Sequence, residues 1–219
     1  MGAVGRPVGQ KRIRRDIFLE EFTTIIEFVV NDTKMKEHTR GNVIKSFYLL
    51  YFFGMRVGEI PFLTVSNLKD AIKTKKLTYI QPKTKQYRVV PISDMQVGIL
   101  EELFSKELEE DNRNYLIRSW GKARSRYNSS SLQRLLNSVI HTALSEDENY
   151  TYSTHSFRAG FVSELNENKV TIATISKLMG HTRLETTMKY LTVSDREKQE
   201  AINKRKPAPS LSEISNKKG

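Results

Sequence analysis

The chain has 219 residues, 38% hydrophobic and 28% charged, with 36 basic against 25 acidic side chains, a formal charge of +11 and no cysteine. That length and apolar content bury a real core in one large domain or two small ones, so wholesale disorder is excluded. Disulfides, thiolate zinc sites and cysteine nucleophiles are excluded as well, and the excess of cations points to a polyanionic partner, most often nucleic acid.

Residues 2–15 carry five basic side chains, no acid and no apolar run, so they read as a flexible basic arm and not as a signal peptide. Phe18, Phe22, Ile25, Ile26 and Val29 recur at helical spacing, as do Val43, Ile44, Phe47, Tyr48 and Tyr51, which predicts two amphipathic helices joined around residues 31–40. The longest apolar stretch, residues 46–55, is too short to span a membrane. Gly54 interrupts the second helix, and a short helix through Arg56, Glu59 and Ile60 follows. Two β-rich runs, 77–80 and 87–90, flank residues 81–86 and predict an antiparallel hairpin with a basic tip, the only sheet expected. Ser93 caps a helix reaching about Glu110, and a cap within residues 128–131 opens one carrying Leu132, Leu135, Leu136, Val139 and Ile140. Thr154 caps a helix with His155, Phe157, Arg158 and Phe161, and Thr171 caps one that closes at Gly180. A last helix runs from Leu184 to about Leu191, and a polar tail begins near Lys204. The fold class is therefore mainly α with a small antiparallel β-hairpin (α+β).

The charge is banded. Residues 69–88 hold seven basic and one acidic residue, 113–134 six basic and none acidic, and 101–111 six acidic and one basic, which suggests a cationic face backed by an acidic one. Four features stand out from that background: Arg56 with Glu59 at a helix start; Lys83 and Lys85 at the hairpin tip; His155 and Arg158, one helical turn apart; and Leu178-Met179-Gly180-His181 followed nine residues later by Tyr190. Each alone reads more readily as ordinary structure: a helix ion pair, solvated lysines, a cap or structural pair, a half-buried tyrosine.

Together and in this order they resemble the tyrosine recombinase (phage integrase) family, whose signature is an arginine, a hairpin lysine, His-x-x-Arg, Leu-x-Gly-His and a tyrosine nine residues beyond that histidine. The resemblance covers about residues 17–192. It implies the tyrosine recombinase catalytic-domain fold over residues 16–192, with residues 1–15 as an arm. Residues 193–219 become a C-terminal helix and basic tail docking on a neighbouring protomer. The family's separate core-binding domain is expected to be absent, because the 55 residues before Arg56 are used up by the arm and the first two helices.

The chemistry explains the residue types. A metal-free site that attacks a phosphodiester needs fixed cations on the phosphoryl oxygens and an acid for the leaving oxygen. Arg56 and Arg158 supply planar, permanently charged forks that match two phosphate oxygens. His155 and His181 donate to the same oxygens, and His155 is the expected acceptor of the tyrosine proton. The resemblance makes Tyr190 the nucleophile of a 3′-phosphotyrosyl intermediate that is rejoined without ATP, and Lys83 the acid for the 5′ oxygen, with Lys85 as the alternative. Glu59 is expected to orient Arg56 or a histidine without touching phosphate. Lys85, Arg88, Lys122, Arg124, Arg126 and Arg134 are expected to grip the DNA backbone. The expected partners are double-stranded DNA and three further copies of the chain on paired sites, with a monomer free in solution, no membrane, no metal and no cofactor, in an intracellular, DNA-associated setting. A type IB topoisomerase and a non-catalytic DNA-binding module are the competing readings.

Overall fold

The computed structural model describes residues 13–119, 125–144, 150–181 and 183–188. The chain enters as β1 (Ile13–Arg14), which pairs in parallel with β4 (Tyr150–Thr151), and Arg15 N donates to Thr151 O at 3.1 Å. Residues 13–15, assigned to the arm from sequence, are instead tied to the body, and the hairpin is joined by a second small sheet. A two-residue parallel pair between segments more than a hundred residues apart carries no local pattern by which to find it.

Helix α1 (Leu19–Asn31) opens where Phe18 N donates to the Glu21 carboxylate at 3.0 Å, and α2 (Glu37–Phe53) follows it. On α1 the apolar face read from sequence buries Phe22, Ile25 and Val29 but leaves Phe18 exposed. On α2 Val43 and Phe47 are buried as expected, while Ile44, Tyr48 and Tyr51 are only half-buried and Leu49, Leu50 and Phe53 take the fully buried positions. Phe22 stacks on Tyr51 with ring centroids 4.3 Å apart, and Phe47 on Phe157 at 5.5 Å. Removing one fully buried phenylalanine ring from such a cluster costs ~3–5 kcal/mol, which is why α2 serves as the axis about which the rest packs. Helix α2 stops at Gly54, whose φ of 51° lies in the left-handed region; a Cβ there would stand 2.9 Å from the Phe161 ring, so both backbone and packing select glycine.

A single 3₁₀ turn over Ile60–Phe62 leads to α3 (Val65–Thr74), capped by Thr64, whose hydroxyl accepts from Asn67 N. Sequence reading gave no element here. Val65, Leu68 and Ala71 form its buried face, but lysines between them made the segment read as a charge band. Strands β2 (Lys76–Ile80) and β3 (Tyr87–Pro91) form the expected antiparallel hairpin, with Leu77 opposite Val90 and Tyr79 opposite Arg88, all four facing inward. The helix expected from Ser93 to Glu110 is divided into α4 (Asp94–Leu103) and α5 (Ser105–Leu108) at Phe104, whose ring is fully buried.

Helix α6 (Ser129–Ala143) begins at Asn128, whose side chain accepts from Ser131 N at 2.9 Å, and buries Leu132, Leu136, Val139 and Ile140 against α1 and α2. In α7 (Thr154–Glu167) the cap is Ser153, one residue before the expected Thr154: its backbone N donates to Ser156 Oγ at 3.1 Å, and Ser156 N donates to the Ser153 carbonyl at 2.8 Å. Helix α8 (Ile172–Met179) starts at Thr171 as expected and shares a small second core of Val162, Ile175 and Met179 with α7. Helix α9 covers Leu184–Met188. Among the described residues no helix is long and apolar enough to cross a membrane.

Candidate active site

The C-termini of α2 and α8, the hairpin and the first turns of α7 meet in one corner. A helix C-terminus leaves carbonyls without intrahelical partners and a partial negative charge, so two such ends brought together call for buried cations. Arg158, on the inward face of α7 and 1% exposed, supplies one: its Nη1 donates to Gly54 O at 2.7 Å and its Nη2 to Met179 O at 2.8 Å. Its Nη2 also lies 2.6 Å from His181 Nε2.

Arginine only donates, so the paired Nε2 must be the unprotonated nitrogen of a neutral imidazole. The proton then sits on Nδ1 and is donated to Thr187 Oγ1 at 2.9 Å, so both ring nitrogens are engaged within the protein and the donor role toward phosphate expected of His181 is not the one this arrangement shows. Electrostatics agree: burial first, and then the charges of Arg158, Arg56 and Arg88 against the opposing Glu59, depress His181 to a pKa of about 4. His155 lies at the open mouth of the corner, one turn before Arg158. The protein mass on its inner side, then Arg14, Arg158 and Arg56, hold it below the ordinary histidine value.

Arg56 enters from the turn after α2 with its side chain 30% exposed, and its Nη1 donates to Glu59 Oε1 at 3.0 Å while its backbone N donates to Glu59 Oε2 at 3.0 Å. Glu59 is buried and saturated: Tyr79 Oη donates to Oε2 at 2.8 Å and Gln81 Nε2 to Oε1 at 3.1 Å. Burial alone would raise its pKa, yet the Arg56 N–H, the Tyr79 hydroxyl and the Arg88 charge bring it below the usual carboxylate range. The Tyr79 hydroxyl is pushed up by burial and by the carboxylate it serves. Gln81 also packs under Gly180, whose φ is 62° and whose position would put a Cβ 2.9 Å from the Gln81 amide.

The structure thus gathers Arg56, Glu59, His155, Arg158 and His181 in one electrostatic neighbourhood. Lys83 and Lys85 stand exposed on the hairpin turn, Lys85 with a φ of 58°. Arg88, expected on the DNA surface, is corrected: its side chain has no exposure and is bound to Leu178 O, Phe53 O and Tyr79 Oη. On β3 it alternates with outward Tyr87 and Val89, so the pleat turns it inward beside Val90. Of the other arginines expected to grip DNA, Arg126 is exposed and lies over the Phe62 ring at 4.1 Å, and Arg134 is exposed and projects from α6 toward the Ser131 hydroxyl. Tyr190, Lys122 and Arg124 lie outside the described residues. Sequence reading missed Tyr79, Gln81 and Thr187. The one available signal was strand alternation, which puts Leu77, Tyr79 and Gln81 on a common face.

The model of the phage integrase family matches residues 19–197. A tyrosine recombinase of Pseudothermotoga lettingae is 32% identical over 209 residues, covering 92% of this chain and 64% of that relative, so the chain spans less than two thirds of the relative's length. Among solved structures, the XerA recombinase superposes with a TM-score of 0.64 at 21% identity over 95% of this chain and 68% of that one. The XerH site-specific recombinase bound to a difH substrate in a pre-cleavage complex does so with 0.64 at 18% identity, over 89% of this chain and 55% of that one.

Proposed function

Because the chain belongs to the phage integrase family, we propose that it is a site-specific recombinase that cuts and rejoins double-stranded DNA through a covalent tyrosine intermediate. The observation that carries this reading is the convergence of Arg56, Arg158, His155 and His181 on one corner, with Glu59 orienting Arg56 from beneath. A diester phosphate carries one negative charge and gains more in the pentacoordinate state, so preformed guanidiniums stabilise the transition state more than the ground state.

In the proposed cycle Tyr190 Oη attacks phosphorus as its proton passes to the neutral His155. The P–O5′ bond breaks, and Lys83 gives a proton to the departing 5′ oxygen. Attack of a 5′ hydroxyl on the phosphotyrosine reverses the sequence and reseals a strand, so no external energy source enters. Lys85, Lys122, Arg124, Arg126 and Arg134 are proposed to hold backbone phosphates around this site, and residues 16–192 are proposed as the catalytic domain. A monomer in solution, a tetramer on paired sites and docking of residues 193–219 on a neighbour complete the reading.

The test uses nicked duplexes with randomised sequence beside the nick, from which covalent protein–DNA adducts are selected. Recovery of an adduct that Tyr190→Phe cannot form supports the reading. No adduct from the whole pool overturns it, and rapid relaxation of supercoiled plasmid without paired sites moves it to a topoisomerase.

A further inference from the structure

A guanidinium sealed from solvent is unfavourable unless acceptors surround it, so its acceptors identify what it holds in place. Arg88 is sealed in this way, and each of its partners belongs to the corner described above. Nε donates to Leu178 O at 2.7 Å, Nη2 donates to Phe53 O, and Nη1 donates to Tyr79 Oη at 2.8 Å. Tyr79 passes the link onward to Glu59 Oε2, which also lies 3.7 Å from Arg88 Nη1, and Glu59 holds Arg56.

Arg158 repeats this arrangement one residue along. It takes Gly54 O next to Phe53 O, and Met179 O next to Leu178 O. Two guanidiniums therefore cross the same gap side by side, each bridging the end of α2 to the end of α8. Arg158 is the one that also reaches His181, and Arg88 is the one that also reaches Glu59. The two chain ends that aim Arg158 are the two that Arg88 clasps, and the carboxylate that aims Arg56 is held in Arg88's own hydrogen-bond relay.

We propose that Arg88 is a positioning residue for phosphoryl transfer, setting Arg158 through the carbonyls of Phe53 and Leu178 and setting Arg56 through Tyr79 and Glu59, while never touching DNA. This rests on the strand-cleavage reading above. It separates two quantities that a DNA-binding arginine would lose together, affinity and chemistry. A planar fork is required, because a lysine ammonium keeps the charge but cannot span Leu178 O, Phe53 O and Tyr79 Oη from one rigid plane.

The experiment uses the duplex recovered from the randomised pool and the whole chain. Duplex affinity, single-turnover adduct formation at saturating duplex and thermal midpoint are measured for wild type, Arg88→Lys and Tyr79→Phe. Adduct formation is expected to fall about 100-fold in Arg88→Lys and about 10-fold in Tyr79→Phe, since small misplacements of reacting groups cost this much. Affinity is expected to stay within about twofold of wild type, because neither side chain reaches the surface. Tyr79→Phe keeps the charge and the ring and removes one oxygen, so it carries the test if Arg88→Lys does not fold. Folded variants with wild-type rates overturn the inference, as do rates that fall only in step with affinity. Absence of any adduct from the wild-type protein overturns the cleavage reading, and this inference with it. Wild-type adduct with unimpaired variants overturns this inference alone.

Discussion

The corner under Arg158 and the tip of the β2–β3 hairpin both belong to the proposed reaction, yet they are built in opposite ways. In the corner these arginines are fixed: Arg158 and Arg88 are buried on backbone carbonyls, and Arg56 is braced by a carboxylate that accepts twice from Arg56 and once each from Tyr79 and Gln81. At the tip Lys83 is exposed on a turn. The difference follows from what each group has to do. A charge that stabilises a transition state works best when no reorganisation is needed, whereas an acid that meets the leaving oxygen has to arrive with the DNA and gains nothing from burial beforehand.

Three measurements sharpen or break that contrast, beyond those given above. The largest effect is expected from Arg158→Lys. A single ammonium cannot reach Gly54 O, Met179 O and His181 together, so adduct formation falls by about 1,000-fold, and the thermal midpoint falls too because acceptors are left buried without donors. A wild-type midpoint in Arg158→Lys would show that the corner is not held in the way described.

Lys83→Ala comes next. Adduct formation on an ordinary duplex is expected to drop about 100-fold, as for loss of a general acid, with an unchanged thermal midpoint because the side chain is exposed. A duplex whose 5′ bridging oxygen is replaced by sulfur has a leaving group that needs no acid, so it should restore the rate. Failure to rescue, or rescue of Lys85→Ala in its place, assigns the acid elsewhere on the tip.

The smallest effect concerns stability and pH. His181 has a folded pKa of about 4, below the value near 6.5 of an unfolded histidine. The unfolded chain therefore takes up the proton first as pH falls. The stability associated with the neutral ring is fully present above pH ~6.5, declines as pH drops toward 4 and is gone below it. In His181→Gln the denaturation midpoint should depend less on pH across that window. An equal slope in both proteins would mean that the ring is not held neutral against Arg158.

Much of this was legible in one dimension. Most of the buried faces of α1 and α6 was read correctly from period alone, because a face that repeats every three or four residues has one way to meet a core. On α2, apolar on more than one side, the expected Ile44, Tyr48 and Tyr51 are half-buried and Leu49, Leu50 and Phe53 turn inward. Helix α3 was not anticipated, since its lysines hid the three residues that pack. The single helix expected after Ser93 is divided at Phe104, whose ring goes into the core. Arg88 was misassigned for a related reason: in a band of seven basic residues one cation looks like the others, and only the pleat turned this one inward.

The order and spacing of the reacting types are written in the chain itself: Arg56, the hairpin lysines, His155 one turn from Arg158, and His181 ahead of Tyr190. Within each motif the intervals are local, as from Lys83 to Lys85 and from His155 to Arg158, and local geometry on a hairpin or helix follows from them. What each buried cation is bound to emerges only when the elements pack. The backbone acceptors of Arg158 lie 104 and 21 residues away, and those of Arg88 lie 35 and 90 residues away. A buried charge is defined by the partners that compensate it, and partners at such separations exist only once α2, α7, α8 and the hairpin have packed.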